Sequence, residues 1–132
     1  MENRMKIING SLSAADKKVV IISAEFEPEI TKALEKGTVD RFIELGGLDK
    51  DVTIIHVPGA FEIPGTAAKV ITHMNPNAII TLGAVIRGET AHFDFVAGES
   101  ARGIAELTTQ SDIPVIFGVL TTENYEQAHV RA

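Results

Sequence analysis

The sequence predicts a three-layer α/β/α domain built on a four-stranded parallel sheet of order 2-1-3-4. Three observations lead there. Four short runs, KVVIIS from Lys18, VTIIHV from Val52, AIITLG from Ala78 and PVIFGV from Pro114, are nearly continuously apolar, which suits strands covered on both faces. Segments of helical length and periodicity separate them, so that each connection is a right-handed crossover. The chain has 132 residues, 45% hydrophobic and 23% charged, which fits one soluble globular domain spanning residues 1–132. Four strands in the common doubly wound order give the flavodoxin-like arrangement, with the order reversing between the first and third.

Each element has its own punctuation. After a lead from Met1 to Asp16, the first run forms the first strand. Pro28 suits the first turn of a helix whose apolar residues include Ile30, Ala33 and Leu34, and Gly46-Gly47 stops it. The second helix starts near Pro64 and stops before Asn75-Pro76. The third carries Phe93, Val96, Ala97, Ala101, Ile104 and Ala105 at spacings of three and four, so it buries one face. A fourth begins around Glu123 and runs to Ala132. There is no internal repeat, linker or low-complexity segment.

The formal charge of −6 and pI near 5.1 argue against non-specific binding to nucleic acid or an anionic membrane, so a phosphate ligand must find positive potential locally. With no cysteine, disulfides, thiolate catalysis and cysteine zinc sites are excluded. No apolar stretch reaches the roughly 18 residues of a membrane span, and no segment reads as a signal peptide. We therefore expect a cytoplasmic protein.

Ligands of open α/β sheets bind beyond the carboxyl ends of the strands, where strand order reverses. That rule brings together the loop Ala24-Glu25-Phe26-Glu27, the loop from Gly83 to His92 and the PGAFEIP stretch from Pro58 to Pro64. The segment GAVIRGET, Gly83 to Thr90, comes within one substitution of the P-loop pattern G-x-x-x-x-G-K-[ST], but Glu89 stands in the lysine's place. Nucleoside triphosphates lose their neutralising cation there. The backbone device survives: Gly88 permits close approach, Thr90 can cap the next helix, and that helix's N–H groups favour a single anion. A ligandless strand-to-helix turn is the equal alternative.

His92, in the first turn of the third helix, is placed for proton transfer, with a surface or capping histidine as the plainer reading. His56, His73 and His129 show no metal-ligand spacing with it, so we expect no metal. Phe26 reads either as an aromatic lid over a planar ligand or as a hydrophobic staple for the following helix, and Phe61 has a similar pair of readings. Glu62 either binds a polar ligand group or bonds the turn backbone. Arg131 reads as a solvated surface residue, and Glu99, Arg102 and Glu106 as a solvated helix face.

Four segments together go further. VPGAFEIP, LGAVIRGETAHFDFVA, PVIFGVLTTEN and EQAHVRA, in this order and separation, closely resemble the lumazine synthase family of riboflavin biosynthesis, over about Lys6 to Ala132. The resemblance implies condensation of 5-amino-6-(D-ribitylamino)uracil with 3,4-dihydroxy-2-butanone 4-phosphate to 6,7-dimethyl-8-ribityllumazine, with release of phosphate and water and no cofactor or metal. It implies stacking of Phe26 on the pyrimidine, and a ribityl site at Ala60, Phe61 and Glu62. Ala84, Val85 and Ile86 would face the pyrimidinedione, Glu89 and Thr90 the phosphate, and His92 would transfer protons. Phe117 and Arg131 match positions supplied by the adjacent subunit, the arginine gripping the phosphate. The implied assembly is a homo-oligomer, a pentamer with sites between neighbours, in some members closed into a 60-subunit icosahedral shell; riboflavin synthase is a candidate partner. Lys6 to Leu12 would add to a neighbour's sheet edge.

Departures from the family pattern are also legible. Glu25-Phe26-Glu27 stands where the family usually reads Arg-Phe-Asn, which adds two carboxylates near an anionic substrate. Ala91 replaces a frequent proline. Family members continue past the position of Ala132 through a Gly/Lys-rich loop, with a lysine for the phosphate site, and a C-terminal helix; we expect both to be absent from this chain. The alternatives are a family member that binds ribityl-pyrimidines or flavins without turnover, or one that mainly forms shells.

Overall fold

The computed structural model describes residues 4–132. Strands β1 (Val19–Ala24), β2 (Val52–Val57), β3 (Ala78–Ile86) and β4 (Val115–Thr122) alternate with helices α1 (Pro28–Glu44), α2 (Ile63–His73), α3 (His92–Gln110) and α4 (Tyr125–Arg131). The sheet is parallel throughout, in the order β2-β1-β3-β4. The predicted flavodoxin-like fold is the observed one.

The helices end for local reasons. Pro28 opens α1 with its fixed φ, and Glu27 before it takes the left-handed region at φ 60°, ψ 62°. At the other end Gly46 has φ 103°, and a Cβ on Gly47 would overlap the Phe42 ring, so both glycines are required. Asn75 stops α2 at φ 50°, a conformation asparagine tolerates better than most residues. α4 starts at Tyr125, two residues later than expected. Asn124 is its N-cap and accepts from the Gln127 N–H at 2.9 Å, while the Gln127 side chain reaches back to the Glu123 N–H at 2.8 Å. That reciprocal Asn-x-x-Gln pattern was readable in the chain and escaped our reading.

The main core lies between the sheet and the α2/α3 layer. Val20, Ile22, Ile79 and Val119 meet Ile63, Ala67, Val70 and Ile104, with Phe93 and Val96 packed at its margin. On the opposite face Ile30 of α1, Ala84 of β3 and Ala128 of α4 form a smaller cluster. α2 and α3 approach closely because Gly103 has no side chain: a Cβ there would lie 2.7 Å from the Pro64 ring.

The expectation that all four strands are covered on both faces needs correcting. β1 is buried along its whole length and β3 nearly so, but β2 buries only Val57, β4 is exposed or half-buried at five of its eight positions, and Ile54, Ile116 and Phe117 are open. These are the two edge strands: Val57, Val115 and Val119 reach the main core, but the helices leave their other positions less covered than those of β1 and β3. The segment from Lys6 to Leu12 is exposed and pairs with no strand among the described residues. The ordered packing begins at Ala14, whose N–H donates to the Leu45 carbonyl at 2.9 Å.

Candidate active site

The sheet opens into a cleft where strand order reverses. The β1–β3 ladder ends at Ser23 and Leu82, whereas the β3–β4 ladder continues to Ile86 and Thr122. Beyond β1 the chain turns towards β2 instead: the Glu25 N–H donates to the Val57 carbonyl at 2.8 Å, and the Phe26 N–H to that of Pro58 at 3.1 Å. Among the described residues no strand therefore accompanies β3 over Gly83–Ile86 on the β1 side. Alternate backbone N–H and C=O groups of that edge face the opening.

The cleft encloses about 650 Å³, within the size range of small-molecule sites. Its walls are Phe26, the Pro58–Glu62 turn, Ala84 to Ile86, and His92, Phe93, Phe95 and Val96 from the start of α3. Every side chain here is apolar except Glu62 and His92, and there is no lysine or arginine. A flat, uncharged ring suits such walls, with its polar edge satisfied by the β3 backbone.

Of the residues singled out from sequence, Phe26, Ala60, Phe61, Glu62, Ala84, Val85, Ile86 and His92 thus share one cavity. Phe26 is 67% exposed at the mouth and is not the alternative staple over α1. Glu62 does not cap α2 with its side chain, which faces the cleft. Glu89 and Thr90 lie in the turn just outside these walls, both exposed. Thr90 is not the N-cap of α3: Ala91 holds that position in helical conformation, and the Thr90 hydroxyl accepts from the His92 N–H at 3.3 Å. The short connection from β3 winds directly into α3, so no extended residue remains to act as a side-chain cap. A Cβ at Gly88 would meet nothing within 4 Å, so glycine there leaves space beside the turn rather than serving the fold.

Phe117 and Arg131 do not line this cleft. Phe117 is 45% exposed on the outer strand β4, and Arg131, also exposed, donates from Nη1 to the Gln127 carbonyl at 2.9 Å. Both sit on the β4/α4 border of the molecule. Val130, 81% exposed beside Arg131, extends that border with apolar surface.

The other histidines have ordinary company. His56 Nε2 lies 2.8 Å from Glu35 Oε1, His129 stacks on Tyr125 with ring centroids 6.0 Å apart, and His73 closes α2. Among the described residues no group of three or more His, Cys, Asp or Glu could hold a metal ion. Glu99, Arg102 and Glu106 form the solvated face that was expected, with Arg102 2.7 Å from Glu99 and 3.4 Å from Glu106. Arg102 holds the Glu99 carboxyl below its usual range, and Glu99 raises the guanidinium in return. No helix is long and apolar enough to cross a membrane among the described residues.

Three wall residues were not assigned to a site from sequence. Phe93 and Val96 were read as helix core, and both do pack against it while also facing the cleft. Phe95 falls off the apolar stripe and is 68% exposed; its adjacency to Phe93 in HFDF was the only signal.

A doubly wound parallel domain with an apolar cleft at its switch point belongs to the class of α/β proteins that bind small ligands beyond the strand ends. The family model for 6,7-dimethyl-8-ribityllumazine synthase matches residues 16–132. The chain belongs to the lumazine synthase family, transferases of riboflavin biosynthesis that work on small molecules as oligomers.

Proposed function

We propose that residues 1–132 act as one domain that makes 6,7-dimethyl-8-ribityllumazine from 5-amino-6-(D-ribitylamino)uracil and 3,4-dihydroxy-2-butanone 4-phosphate. The observation that carries this reading is the free β3 edge at Ala84–Ile86, opposite Phe26 and next to His92, in one cleft. A pyrimidinedione presents alternating N–H and C=O groups, the complement of a strand edge, and a face for Phe26 to stack on. Its ribityl chain then runs along Ala60, Phe61 and Glu62, where the Glu62 carboxylate accepts from hydroxyls.

The second substrate's phosphate sits at Gly88–Thr90, outside the apolar walls, with Glu89 contributing its backbone rather than its charge. Amine attack on the ketone forms an imine with loss of one water, elimination of phosphate follows, and ring closure with loss of a second water completes the product. His92 carries protons between these steps. Holding amine and ketone together supplies most of the acceleration, since well-aligned reactants reach effective molarities of about 10⁵ M or more. His92 adds a smaller factor, roughly 10²–10⁴.

The site is completed by a neighbour. Because no cation lines the cleft, the phosphate needs one from elsewhere, and Arg131 with Phe117 stands on the exposed β4/α4 border. We infer a pentamer in which that border meets the next subunit's cleft and Lys6 to Leu12 extends a neighbouring sheet edge. Closure of pentamers into an icosahedral shell and docking of riboflavin synthase are further steps of the same reading, in the cytoplasm and without a cofactor.

One observation favours a second reading, a ribityl-pyrimidine or flavin binder without turnover: Glu25 and Glu27 flank Phe26 at the mouth of the cleft. Incubating the purified protein with both substrates and following lumazine fluorescence separates the two. Product formation above the uncatalysed background supports the synthase; its absence overturns it, and titration with riboflavin then tests the binder.

A further inference from the structure

Arg87, the first residue after β3, has contacts that nothing above explains. Its backbone N–H donates to the Thr122 carbonyl at 2.9 Å, which continues the β3–β4 ladder by one rung. Its guanidinium then spans three elements. Nε donates to Glu123 Oε2 at 2.9 Å in the β4–α4 connection, Nη1 reaches Asp94 Oδ1 at 3.5 Å in the first turn of α3, and Cζ lies 4.4 Å from the centroid of the Phe93 ring.

Glu89, Thr90 and His92 all lie between Arg87 and the α3 residues it grips. Around the turn there is open space: a 3.3 Å bond between Thr90 and His92 is internal to it, and a Cβ on Gly88 would meet nothing within 4 Å. We propose that Arg87 is a positioning residue, whose planar fork and ring contact together clamp the β3–α3 turn between β4 and α3 and so fix Glu89, Thr90 and His92 relative to the cleft.

A point charge could not do this. Lysine would keep the positive charge but lose the two-directional fork and the flat face that lies over Phe93. Nor is Arg87 itself placed as the phosphate's cation, since its fork is turned to Glu123 and Asp94. Its role is to act through the turn, and a displacement of about 1 Å there is enough to cost roughly 10²-fold in rate.

The kinetic part of this inference rests on the proposed synthase reaction; the mechanical part does not. Arg87→Lys is the main test and Arg87→Met the harsher one, each measured in two ways. Amide hydrogen exchange without substrate should show residues 88–95 exchanging faster in Arg87→Lys, with β1 and α2 unchanged. In the product assay, kcat should fall about 10- to 100-fold and KM for the butanone phosphate rise, while KM for the pyrimidine stays within about twofold. If wild-type protein makes no product, the synthase reading fails and the exchange arm alone decides the clamp. Exchange in Arg87→Lys equal to wild type overturns the proposal, as does faster exchange in every segment alike, which is loss of global stability. Faster exchange confined to 88–95 with unaltered kinetics overturns the link to the site.

Discussion

Replacing Glu27 with asparagine should make the protein more stable, although Glu27 touches nothing that asparagine improves. Its φ of 60° and ψ of 62° lie in the left-handed region, and its side chain makes no capping bond. The conformation is held from outside: the Glu27 carbonyl accepts the N–H groups of Ile30 at 3.1 Å and Thr31 at 3.0 Å, while Pro28 fixes the next φ. An ordinary L-residue in that region costs about 1–2 kcal/mol, and asparagine less. We take the recoverable part as about 1 kcal/mol. Unfolding entropy of roughly 2.1 cal/mol/K per residue gives about 280 cal/mol/K for this chain, so the shift in Tm is about 3–4 °C upwards. The control is Glu27→Gln, which removes the same charge but keeps the strained backbone preference. Thermal melts of wild type and both variants, at one protein concentration because association also moves Tm, provide the comparison. Should Glu27→Gln gain as much as Glu27→Asn, the gain is electrostatic and the backbone argument is wrong.

Other expectations follow from the same geometry. Arg131→Ala should raise KM for the butanone phosphate about 10- to 100-fold, as loss of a charged hydrogen bond does, and barely alter pyrimidine binding; equal loss of both contradicts its role. His92→Ala should lower kcat by about 10²-fold, the low end of the factor given to it above, with assembly intact by sedimentation, and should flatten the pH profile. Gly118→Ala places a Cβ 2.5 Å from the Thr81 carbonyl oxygen, so it should destabilise by about 3 kcal/mol, the upper end for overpacking, read from the denaturant midpoint. The Tyr125 hydroxyl donates to Glu29 Oε2 at 2.6 Å, and this bond raises the phenol's pKa. A raised folded-state pKa means the stabilisation is whole below the unfolded value of about 10 and is lost as pH climbs through the folded one. Tyr125→Phe should therefore melt below wild type at neutral pH, and the gap should close in strong alkali.

What the sequence disclosed depended on how local each signal was. The strands and their order were legible because β1 and β3 are apolar except at Ser23, Thr81 and Gly83, and Pro28, Gly46 and Asn75 mark helix ends by backbone geometry. The exposure of β2 and β4 was not, since Ile54 and Phe117 look as apolar as Ile21, and their place on the edge strands tells them apart. The cleft's position came from the switch-point rule, and the roles proposed for its residues from family resemblance. Phe95 and Arg87 escaped because their significance lies in contacts across elements: Arg87 meets Glu123 thirty-six positions away, a pairing that no periodicity encodes. Thr90 misled for the opposite reason, a good capping residue one place too early.

The double duty of β3 sets the terms on which this site can be altered. Ala84 lines the cleft and packs with Ile30 and Ala128 behind the sheet, and Val85 lines it while belonging to the main core. Any larger side chain at either position meets close-packed surroundings. An effort to retune ligand preference, by selection or by design, therefore has one fixed wall and several adjustable ones. Variation is tolerable at Phe26, Phe61 and Phe95, which stand in solvent at the rim, whereas the strand edge proposed to read the ring is inherited unchanged with the fold.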